Sequence, residues 1–557
     1  MMRRHLTTAT TIIATTVALL AGAGASPGAS AGPATPMTSV TTATAATTTA
    51  GTSARKGSSL RVTPKRFVGG QALTFSGRIP GANNKKLKLQ SLFNRPGDKW
   101  ITRSRSIGST DRSGQFKFTQ TAPSNYNIRY RVKAANGRTS KVVRFQPRQQ
   151  EVTLRLNGGK VQQRGQVAGG QGFHIDVDTT PTGQGDLGRP PPAFPGRTLD
   201  LQQRVNGNQW QNIASTTSDD NGKARFYLSA GEPGLTAYRV RQAAIRTGGN
   251  RIGWFPSFPL EVRFVDPNAS RTTPSARTQS PTSESAAEEN QPTAGRPMAP
   301  VSARSGGGNP QASARYKWGP THWDFAWESG ESLTDKPYRG RNRTGYWIDR
   351  SNGSGRAAAH NGGLALESNL TESGRRGDHG TNSVTLAGNA ITYGRWEFRR
   401  RIDVFERKGR DYRVKIELVP ANAADSACGA NTINVATVGY NSRKASLGVT
   451  SSDAKKAWTG SKRISRMGGN PHSWSVEVTR SQITWFLNGR SLATVKNRQA
   501  VPGVPLTPKL SLVGKGQKEM RRTRVLYDWQ RGWTLNKQAR KAQKGSGLKV
   551  KNLQNSC

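Results

Sequence analysis

Two carboxylates lie in a stretch, residues 413–425, whose other charged residues are basic. Glu417 lies in a strand-like run, and Asp425 follows it in a connecting loop. A pair of carboxylates can act as general acid and general base, so these two are the candidate catalytic residues outside any known motif. The alternative is that Glu417 forms an ion pair with Arg399, Arg413 or Lys415, because opposite charges on neighbouring strands attract each other. The excess of basic residues around Glu417 favours the ion pair.

β-Strands are the elements that position these residues. In the runs 395–399 and 413–419, apolar side chains alternate with charged ones. This period of two predicts strands with one buried face and one solvated face. Residues 316–535 contain several such runs and are predicted to form a sandwich of two sheets.

The motifs of this region resemble, in the same order, those of the family 16 glycoside hydrolases. Residues 393–399, Tyr-Gly-Arg-Trp-Glu-Phe-Arg, are similar to that family's Tyr-Gly-Arg-aromatic-Glu-x-Arg strand. Residues 472–478 and 483–490 resemble its His-x-aromatic-x-x-Glu-Trp strand and its strand that ends in Asp-Gly. Residues 323–325 and 527–529 fall where the family has comparable first and last strands. The resemblance implies a concanavalin-like jelly roll, whose concave face binds a glycan.

The resemblance ends at the residues that carry the family's chemistry. Retaining members have Glu-x-Asp-x-Glu, or Glu-x-Asp-x-x-Glu with a bulge, on one strand of the cleft, because the reaction needs two carboxylates about 5–5.5 Å apart. In the matching strand Thr432 stands at the nucleophile, Asn434 at the central Asp, and Ala436 or Thr437 at the acid/base. Threonine and asparagine form hydrogen bonds but can neither carry a glycosyl intermediate nor protonate a leaving group. The family's standard mechanism is therefore not expected.

The concave face that the resemblance implies would be basic and polar. Its candidate glycan-binding residues are Arg395, Arg399, Arg413, Lys415, Glu417, Thr432 and Asn434. Such a face suits an acidic polysaccharide or an anionic cell-wall polymer, which it would hold through charge-assisted hydrogen bonds. Trp458 and Trp485 are either stacking platforms or core residues, and the core is favoured.

Two segments that precede this region repeat one pattern. Residues 59–148 and 149–266 each contain short alternating strands separated by turn sequences in the same order. Trp100 and Trp210 occupy equivalent places in them and are predicted to be core residues. Each segment resembles an immunoglobulin-like β-sandwich. The predicted fold class is all-β: two immunoglobulin-like β-sandwiches followed by a concanavalin-like jelly-roll sandwich.

The remaining segments indicate export. Residues 1–25 combine two arginines, a short apolar run and a small-x-small site, which is typical of a signal peptide. Residues 26–58 and 267–315 are low in large apolar side chains and are predicted to be disordered linkers, and residues 536–557 a basic tail. No apolar run is long enough to cross a membrane. The protein is expected to be secreted, extracellular or associated with the cell wall.

The charge indicates either an anionic partner or a solvated basic surface. The formal net charge is +51, and nucleic acid, acidic polysaccharides and anionic wall polymers could all compensate it. Export and the lack of a nucleic-acid motif make nucleic acid the least favoured of these.

The cysteines and histidines indicate structural roles. Cys428 and Cys557 are the only cysteines. In an exported protein they could pair with each other, and separate thiols or an intermolecular bridge are the alternatives. Neither has a ligand at zinc spacing, so no metal and no cofactor are predicted. His360, His379 and His472 are scattered and are expected to be surface or structural residues.

Two functions remain open from the sequence. The first is a non-catalytic, lectin-like domain that binds a polysaccharide. The second is an active glycosidase that hydrolyses O-glycosyl compounds, or a polysaccharide lyase, with relocated carboxylates such as Glu417.

Overall fold

The structure is a computed structural model, and almost all of its regular structure is β. It describes residues 57–93, 99–161, 164–181, 190–266, 311–360, 362–368, 379–405, 409–467, 469–516, 518, 520–542 and 544–554. The helical elements of these residues are one short α-helix, α1 (Gln311–Arg315), and the 3-10 turns Ala423–Gly429 and Arg498–Ala500. The all-β prediction is therefore confirmed. No helix in the described residues is both long and apolar enough to cross a membrane.

The first domain is a sandwich of a three-stranded and a four-stranded sheet. Its strands are β1 (Ser59–Thr63), β2 (Ala72–Arg78), β3 (Leu87–Phe93), β4 (Ile101–Ser104), β5 (Gln115–Thr121), β6 (Ile128–Ala134) and β7 (Val143–Phe145). The sheet orders are β1-β2-β5 and β4-β3-β6-β7. Alternate residues such as Leu73, Phe75, Leu87 and Val132 fill the space between the sheets, so the other residues of each strand face outward.

The second domain has the same kind of sandwich with a larger second sheet. Its strands are β8 (Thr153–Leu156), β9 (Arg164–Ala168), β10 (Gly172–Asp178), β11 (Thr198–Val205), β12 (Gln209–Thr217), β13 (Lys223–Ser229), β14 (Gly234–Gln242), β15 (Phe255–Pro256) and β16 (Leu260–Val265). The orders are β13-β10-β8 and β12-β11-β14-β16-β9, with β15 paired to β14. Strands β16 and β9 are parallel, which sets this sheet apart from the antiparallel sheets of the first domain.

The C-terminal domain is a sandwich of two eight-stranded sheets. Its strands are β17 (Trp323–Phe325), β18 (Tyr346–Asp349), β19 (Arg356–His360), β20 (Gly363–Glu367), β21 (Thr381–Ala387), β22 (Gly394–Val404), β23 (Arg413–Pro420), β24 (Ile433–Gly439), β25 (Lys444–Thr450), β26 (Lys456–Arg463), β27 (His472–Val478), β28 (Ile483–Leu487), β29 (Arg490–Val495), β30 (Leu506–Val513), β31 (Thr523–Thr534) and β32 (Lys549–Asn552). The groove sheet has the order β18-β21-β30-β23-β24-β25-β26-β32. The back sheet has the order β19-β20-β31-β22-β27-β28-β29, with β17 paired to β31.

The chain after β31 belongs to this sandwich. Residues 536–557 look like a basic tail in the sequence, yet β32 pairs with β26 and becomes the edge strand of the groove sheet. Just before β32, Ser546 bridges to Ala493 at the end of the back sheet. The segment therefore runs from the edge of one sheet to the edge of the other.

The second sandwich contacts the C-terminal domain through buried ion pairs. Arg239 Nη1 lies 2.5 Å from Asp349 Oδ2, and both side chains are less than a tenth exposed. Arg356 binds Glu151 of the second sandwich at 2.5 Å and Glu367 of its own domain at 3.0 Å. Charges buried in this way are strongly coupled to their partners, so they fix the position of the two domains.

The first sandwich also contacts the C-terminal domain. Arg103 Nη1 lies 2.7 Å from Glu328 Oε2, and the backbone N–H of Gly330 donates to Ser124 Oγ at 2.6 Å. The side chains of this ion pair are 18% and 21% exposed, so the pair is less buried than that of Arg239 and Asp349.

The repeated tryptophans lie outside the cores, in contrast to the prediction. Trp100 and Trp210 are half-buried, and arginines cover their rings. Arg131 Cζ lies 4.1 Å from the ring centre of Trp100, and Arg204 and Arg239 lie 4.6 and 4.3 Å from that of Trp210. A cation stacked on indole is stable at the surface, so a matched tryptophan does not by itself mark a core position.

The three singled-out histidines have structural contacts. Buried His360 and His379 lie 2.9 and 3.1 Å from carboxylate oxygens of Glu367 and Glu261, respectively. His472 Nδ1 lies 3.0 Å from Asn488 Nδ2. None of the three lines the groove that crosses strands β23 to β26.

Candidate functional site

The outer face of the groove sheet carries a groove of about 500 Å³. It crosses strands β23, β24, β25 and β26 and ends at the edge strand β32. The lining residues are Lys415, Glu417, Thr432, Asn434, Ser446, Leu447, Gly448, Val449, Thr450, Thr459, Gly460, Ser461, Lys549 and Lys551. The lining includes hydroxyl, amide and ammonium groups that can form hydrogen bonds to a polyol, together with the apolar residues Leu447 and Val449.

A β-bulge shapes strand β24. Asn434 pairs with Glu417 and Ala436 with Ile416, so the register shifts by one residue between them. Val435 and Ala436 are both fully buried in the core, and Thr437 returns to the outer face, where its Oγ1 donates to Asn434 Oδ1 at 3.0 Å. Of Ala436 and Thr437, Thr437 is therefore the one that faces outward. Simple alternation could not distinguish them, because a bulge adds one residue to the strand.

The outward residues of β24 are neutral. Asn434 Nδ2 donates to the carbonyl of Ser446 at 3.2 Å. Thr432 Oγ1 lies 3.4 Å from the carbonyl of Ala430. These side chains can orient a hydroxyl group of a ligand, but they hold no proton of the acidity that glycosidic cleavage requires.

Glu417 is the carboxylate that lines the groove, and it is ion-paired. Its side chain is 9% exposed, and its Oε1 lies 2.6 Å from Lys415 Nζ. The favoured ion pair is therefore present, with Lys415 as the partner. Asp425 lies in the 3-10 turn after β23, outside the groove lining. Arg413 is exposed at the start of β23 and is also absent from the lining.

The structure places Arg395 and Arg399 away from the groove. Both lie on β22 of the back sheet and are 5% and 3% exposed. Arg395 Nε is 2.6 Å from Glu477, and Arg399 is 3.4 Å from Asp528. The alternation predicted the correct face of their strand, but a sequence pattern does not say to which of two sheets a strand belongs. Arg395 and Arg399 are therefore removed from the candidate glycan-binding residues, which all lie on or beside the groove sheet.

The outer face of the back sheet is covered by the chain's own residues. The N–H of Ala312 in helix α1 donates to Glu397 Oε1 at 2.7 Å, although residues 267–315 were expected to be linker. Tyr316 and Trp318 pack against Phe486 on the same side. Among the described residues of this face, Arg395, Glu397 and Phe486 are therefore closed off from ligands.

Two lysines of the site were missed at the sequence level. Lys549 and Lys551 are exposed on β32 and face the groove. Their alternation around Val550 was the available signal, but a strand of four residues after a long polar stretch is easily taken for a tail. Lys415 is paired with Glu417, whereas among the described residues neither Lys549 nor Lys551 has an ion-pair partner, so these two lysines supply positive charge to the groove.

The tryptophans near the site are core residues. Trp458 and Trp485 are 3% and 0% exposed, and Trp485 Nε1 donates to the backbone carbonyl of Asn434 at 3.0 Å. Trp485 therefore supports β24 from inside the sandwich instead of stacking on a ligand.

Two further predicted features concern metals and the disulfide. In the described part of the chain, no group of three or more His, Cys, Asp or Glu side chains could hold a metal ion. Cys428 is disulfide-bonded. Cys557 lies outside the described residues, so the pairing of these two cysteines stays a prediction.

Comparisons with known proteins give structural similarities only. No protein-family model matches this chain, and no curated protein matches it. Similar solved structures include LamAcat from Zobellia galactanivorans, with 16% identity over 32% of this chain and 80% of that one, at a TM-score of 0.25. A laminarinase catalytic domain from Thermotoga petrophila RKU-1 has 16% identity over the same shares and a TM-score of 0.26. The endo-beta-1,3-glucanase from Pyrococcus furiosus has 13% identity over 34% of this chain and 89% of that one, at a TM-score of 0.28.

Proposed function

We propose that this is a secreted, extracellular or cell-wall-associated protein whose C-terminal domain binds a polysaccharide without cleaving it. The groove of the groove sheet is the binding site. The observation that supports this best is that Asn434 and Thr437, which face outward on β24, and Thr432, which directly precedes the strand, include no carboxylate.

The chemistry of the groove favours binding over hydrolysis. Both retaining and inverting hydrolysis use two carboxylates on either side of the scissile bond. Glu417 is the one carboxylate in the groove lining, and Lys415 neutralises it at 2.6 Å. A single ion-paired carboxylate cannot serve as both nucleophile and proton donor.

The charge of the groove favours an acidic glycan. Lys549 and Lys551 are exposed at its edge, and ammonium groups form strong hydrogen bonds with carboxylates. Ser446, Thr459 and Ser461 add hydroxyl groups that suit the neutral part of a sugar. An acidic polysaccharide or an anionic wall polymer matches both features.

The competing function is catalysis by Glu417, as a glycosidase or a lyase. Its position opposite Asn434, beside the strand that carries catalysis in the resembling family, is the observation that favours it. Such an enzyme would have to separate Glu417 from Lys415 when the substrate binds.

Binding and cleavage can be tested together. The full-length protein is incubated with neutral and acidic polysaccharides, and both retention and released reducing or unsaturated ends are measured. We expect retention of acidic chains, reduced at least about tenfold by the double variant Lys549→Gln/Lys551→Gln. Lys444→Gln, an exposed lysine outside the groove lining, is the control. Equal retention by the double variant and the control would contradict the proposed site.

A further inference from the structure

The two N-terminal sandwiches differ sharply in charge. Residues 59–148 contain 20 Lys and Arg and 2 Asp, for a formal net charge of +18. Residues 149–266 contain 13 Lys and Arg and 10 Asp and Glu, for a formal net charge of +3. Since the two sandwiches share their strand pattern, the fold does not require the extra charge of the first one.

Part of this excess charge lies on one face of the sheet β4-β3-β6-β7. Lys88 on β3 lies directly opposite Lys133 on β6, and Arg129 on β6 lies opposite Arg144 on β7. Like charges directly opposite each other destabilise a sheet. The intervening residues of these strands, such as Val132, are buried in the core, so these four cations share the outer face. Among the residues that the structure describes, none of the four has an ion-pair partner.

Arg131 lies between these two pairs and is held in place. Its Nε donates to Gln90 Oε1 at 2.9 Å, and its guanidinium stacks on Trp100. We call Lys88, Arg129, Arg131, Lys133 and Arg144 the cationic face.

The second sandwich shows what this arrangement can bind. There Arg239 Nε donates to Gln202 Oε1 at 2.8 Å, the same guanidinium stacks on Trp210, and its Nη1 binds the carboxylate of Asp349. The Gln–Arg–Trp arrangement is therefore the same in both sandwiches. In the second it holds a carboxylate, whereas in the first the structure gives Arg131 no acidic partner among the described residues.

The cationic face continues into a groove. Arg144 also lines a groove of about 480 Å³ between β1 and β7. The other basic residues of its lining are Arg61, Lys65, Arg66 and Arg148. The positive surface thus extends over two sides of the first sandwich, which suits a long ligand better than a single ion.

We propose that the cationic face of the first sandwich is a second binding surface for an anionic polysaccharide, with Arg131 receiving a carboxylate of the chain. The observed carboxylate at the equivalent Arg239 supports a carboxylated ligand. A single-stranded nucleic acid would instead need open aromatic platforms, and Trp100 is stacked against Arg131. This surface lies on a different domain from the glycan groove, so the two proposals can fail separately.

Polygalacturonate is a suitable probe, with binding to the full-length protein measured over a range of salt concentrations. The double variant Lys88→Gln/Lys133→Gln should weaken binding at least about tenfold and lower its salt dependence. The matched control is Arg112→Gln/Lys117→Gln, which removes two exposed charges elsewhere on the same sandwich. The charge-retaining variant Lys88→Arg/Lys133→Arg should bind like the parent, which separates charge from misfolding.

Three outcomes would overturn the proposal. The first is unchanged binding by the Gln variant, and the second is an equal loss in the control, which would indicate unspecific attraction. The third is that Lys88→Gln/Lys133→Gln loses binding to a DNA or RNA probe but still binds polygalacturonate. Binding by the groove variant Lys549→Gln/Lys551→Gln must be measured in parallel. A loss of binding in this variant tests the glycan groove, because its cationic face is unchanged.

Discussion

The two N-terminal sandwiches contain the same Gln–Arg–Trp arrangement in different surroundings. In the second, Arg239 is buried against the C-terminal domain and bound to Asp349. In the first, Arg131 is half-buried among like-charged neighbours. The guanidinium of Arg239 therefore holds two domains together, whereas that of Arg131 remains partly exposed to solvent.

This difference shows how a repeated domain can separate structural and binding roles. A buried charge must be compensated inside the protein, and the second sandwich accordingly carries almost as many acidic as basic residues. A binding surface can leave its charge for the ligand to compensate, and the first sandwich has almost no acidic residues. Variants that change one sandwich at a time therefore test the comparison.

The largest effect is expected from breaking the buried charge cluster where the second sandwich meets the C-terminal domain. Glu367 is 0% exposed and lies within 3.0 Å of both Arg356 and His360. Glu367→Gln leaves buried cations uncompensated, so the free energy of unfolding should fall by about 3–5 kcal/mol, measured by urea denaturation. Asp411→Asn, in a half-exposed pair at 3.5 Å, is the control and should change it by less than about 1 kcal/mol.

The same cluster predicts that the folded protein loses stability in acid. Burial alone would raise the pKa of Glu367, but Arg524, His360 and Arg356 outweigh it and hold the pKa well below its ordinary value. The stability that Glu367 contributes is therefore present above its ordinary pKa and lost as the pH falls toward the folded-state value. A variant with Gln at 367 that loses stability in acid as steeply as the parent would contradict this assignment.

A matched pair of substitutions should separate docking from binding. Arg239→Gln removes the partner of buried Asp349 and should cost about 2–5 kcal/mol of stability. Arg131→Gln removes the equivalent guanidinium and should cost less than about 1 kcal/mol, because surface groups contribute little. Polygalacturonate binding should respond in the opposite way, with the loss confined to Arg131→Gln. Equal stability losses in both variants would show that the two arrangements have the same role.

Glu331 lies where the three domains meet, and its contribution to stability should change with pH in the opposite direction from that of Glu367. Glu331 lines a small cavity with Gly69 of the first sandwich and Gln150 of the second, and burial raises its pKa to about 7. The folded protein then binds more protons than the unfolded chain between about pH 4.5 and 7, so the contribution of Glu331 to stability falls as the pH rises through that range. The melting temperature of Glu331→Gln should therefore fall less than that of the parent protein as the pH rises through this range. An equal fall of the melting temperature in both proteins would show that Glu331 titrates normally.

The smallest effect is a gain in stability. Lys133→Glu would replace the repulsion from Lys88 by attraction, and an opposite-charge cross-strand pair contributes roughly 0.2–1 kcal/mol. The melting temperature should rise slightly while polygalacturonate binding falls. A lower melting temperature would mean that Lys88 and Lys133 are not repelling each other in the folded protein.

Much of the fold could be predicted from side-chain alternation, because burial of every second residue is a local property of a strand. Val414, Ile416 and Leu418 are buried as the pattern predicts, and Lys415 and Glu417 face outward to form their ion pair. What alternation could not supply was the assignment of strands to sheets. Arg395 and Arg399 therefore seemed to belong with Lys415, although they lie on the back sheet.

The candidate site was predicted in part for the same reason. Thr432 and Asn434 line the groove as expected, but the bulge that brings Thr437 to their side depends on pairing with neighbouring strands. Lys549 and Lys551 join the groove through a strand pairing across a large sequence separation, which no local pattern reveals. Trp100 and Trp210 were misassigned to the core because the stacked arginines that cover them come from other strands.

The most direct test of the central claim is a long incubation of the full-length protein with the acidic polysaccharide that it retains best, followed by a count of new chain ends. Our account predicts firm retention and no ends above those of a protein-free control, because Glu417 is the one carboxylate among the described residues that line the groove. Ends that accumulate with the parent protein and disappear with Glu417→Gln would contradict it, and would show that this groove catalyses cleavage with a relocated carboxylate.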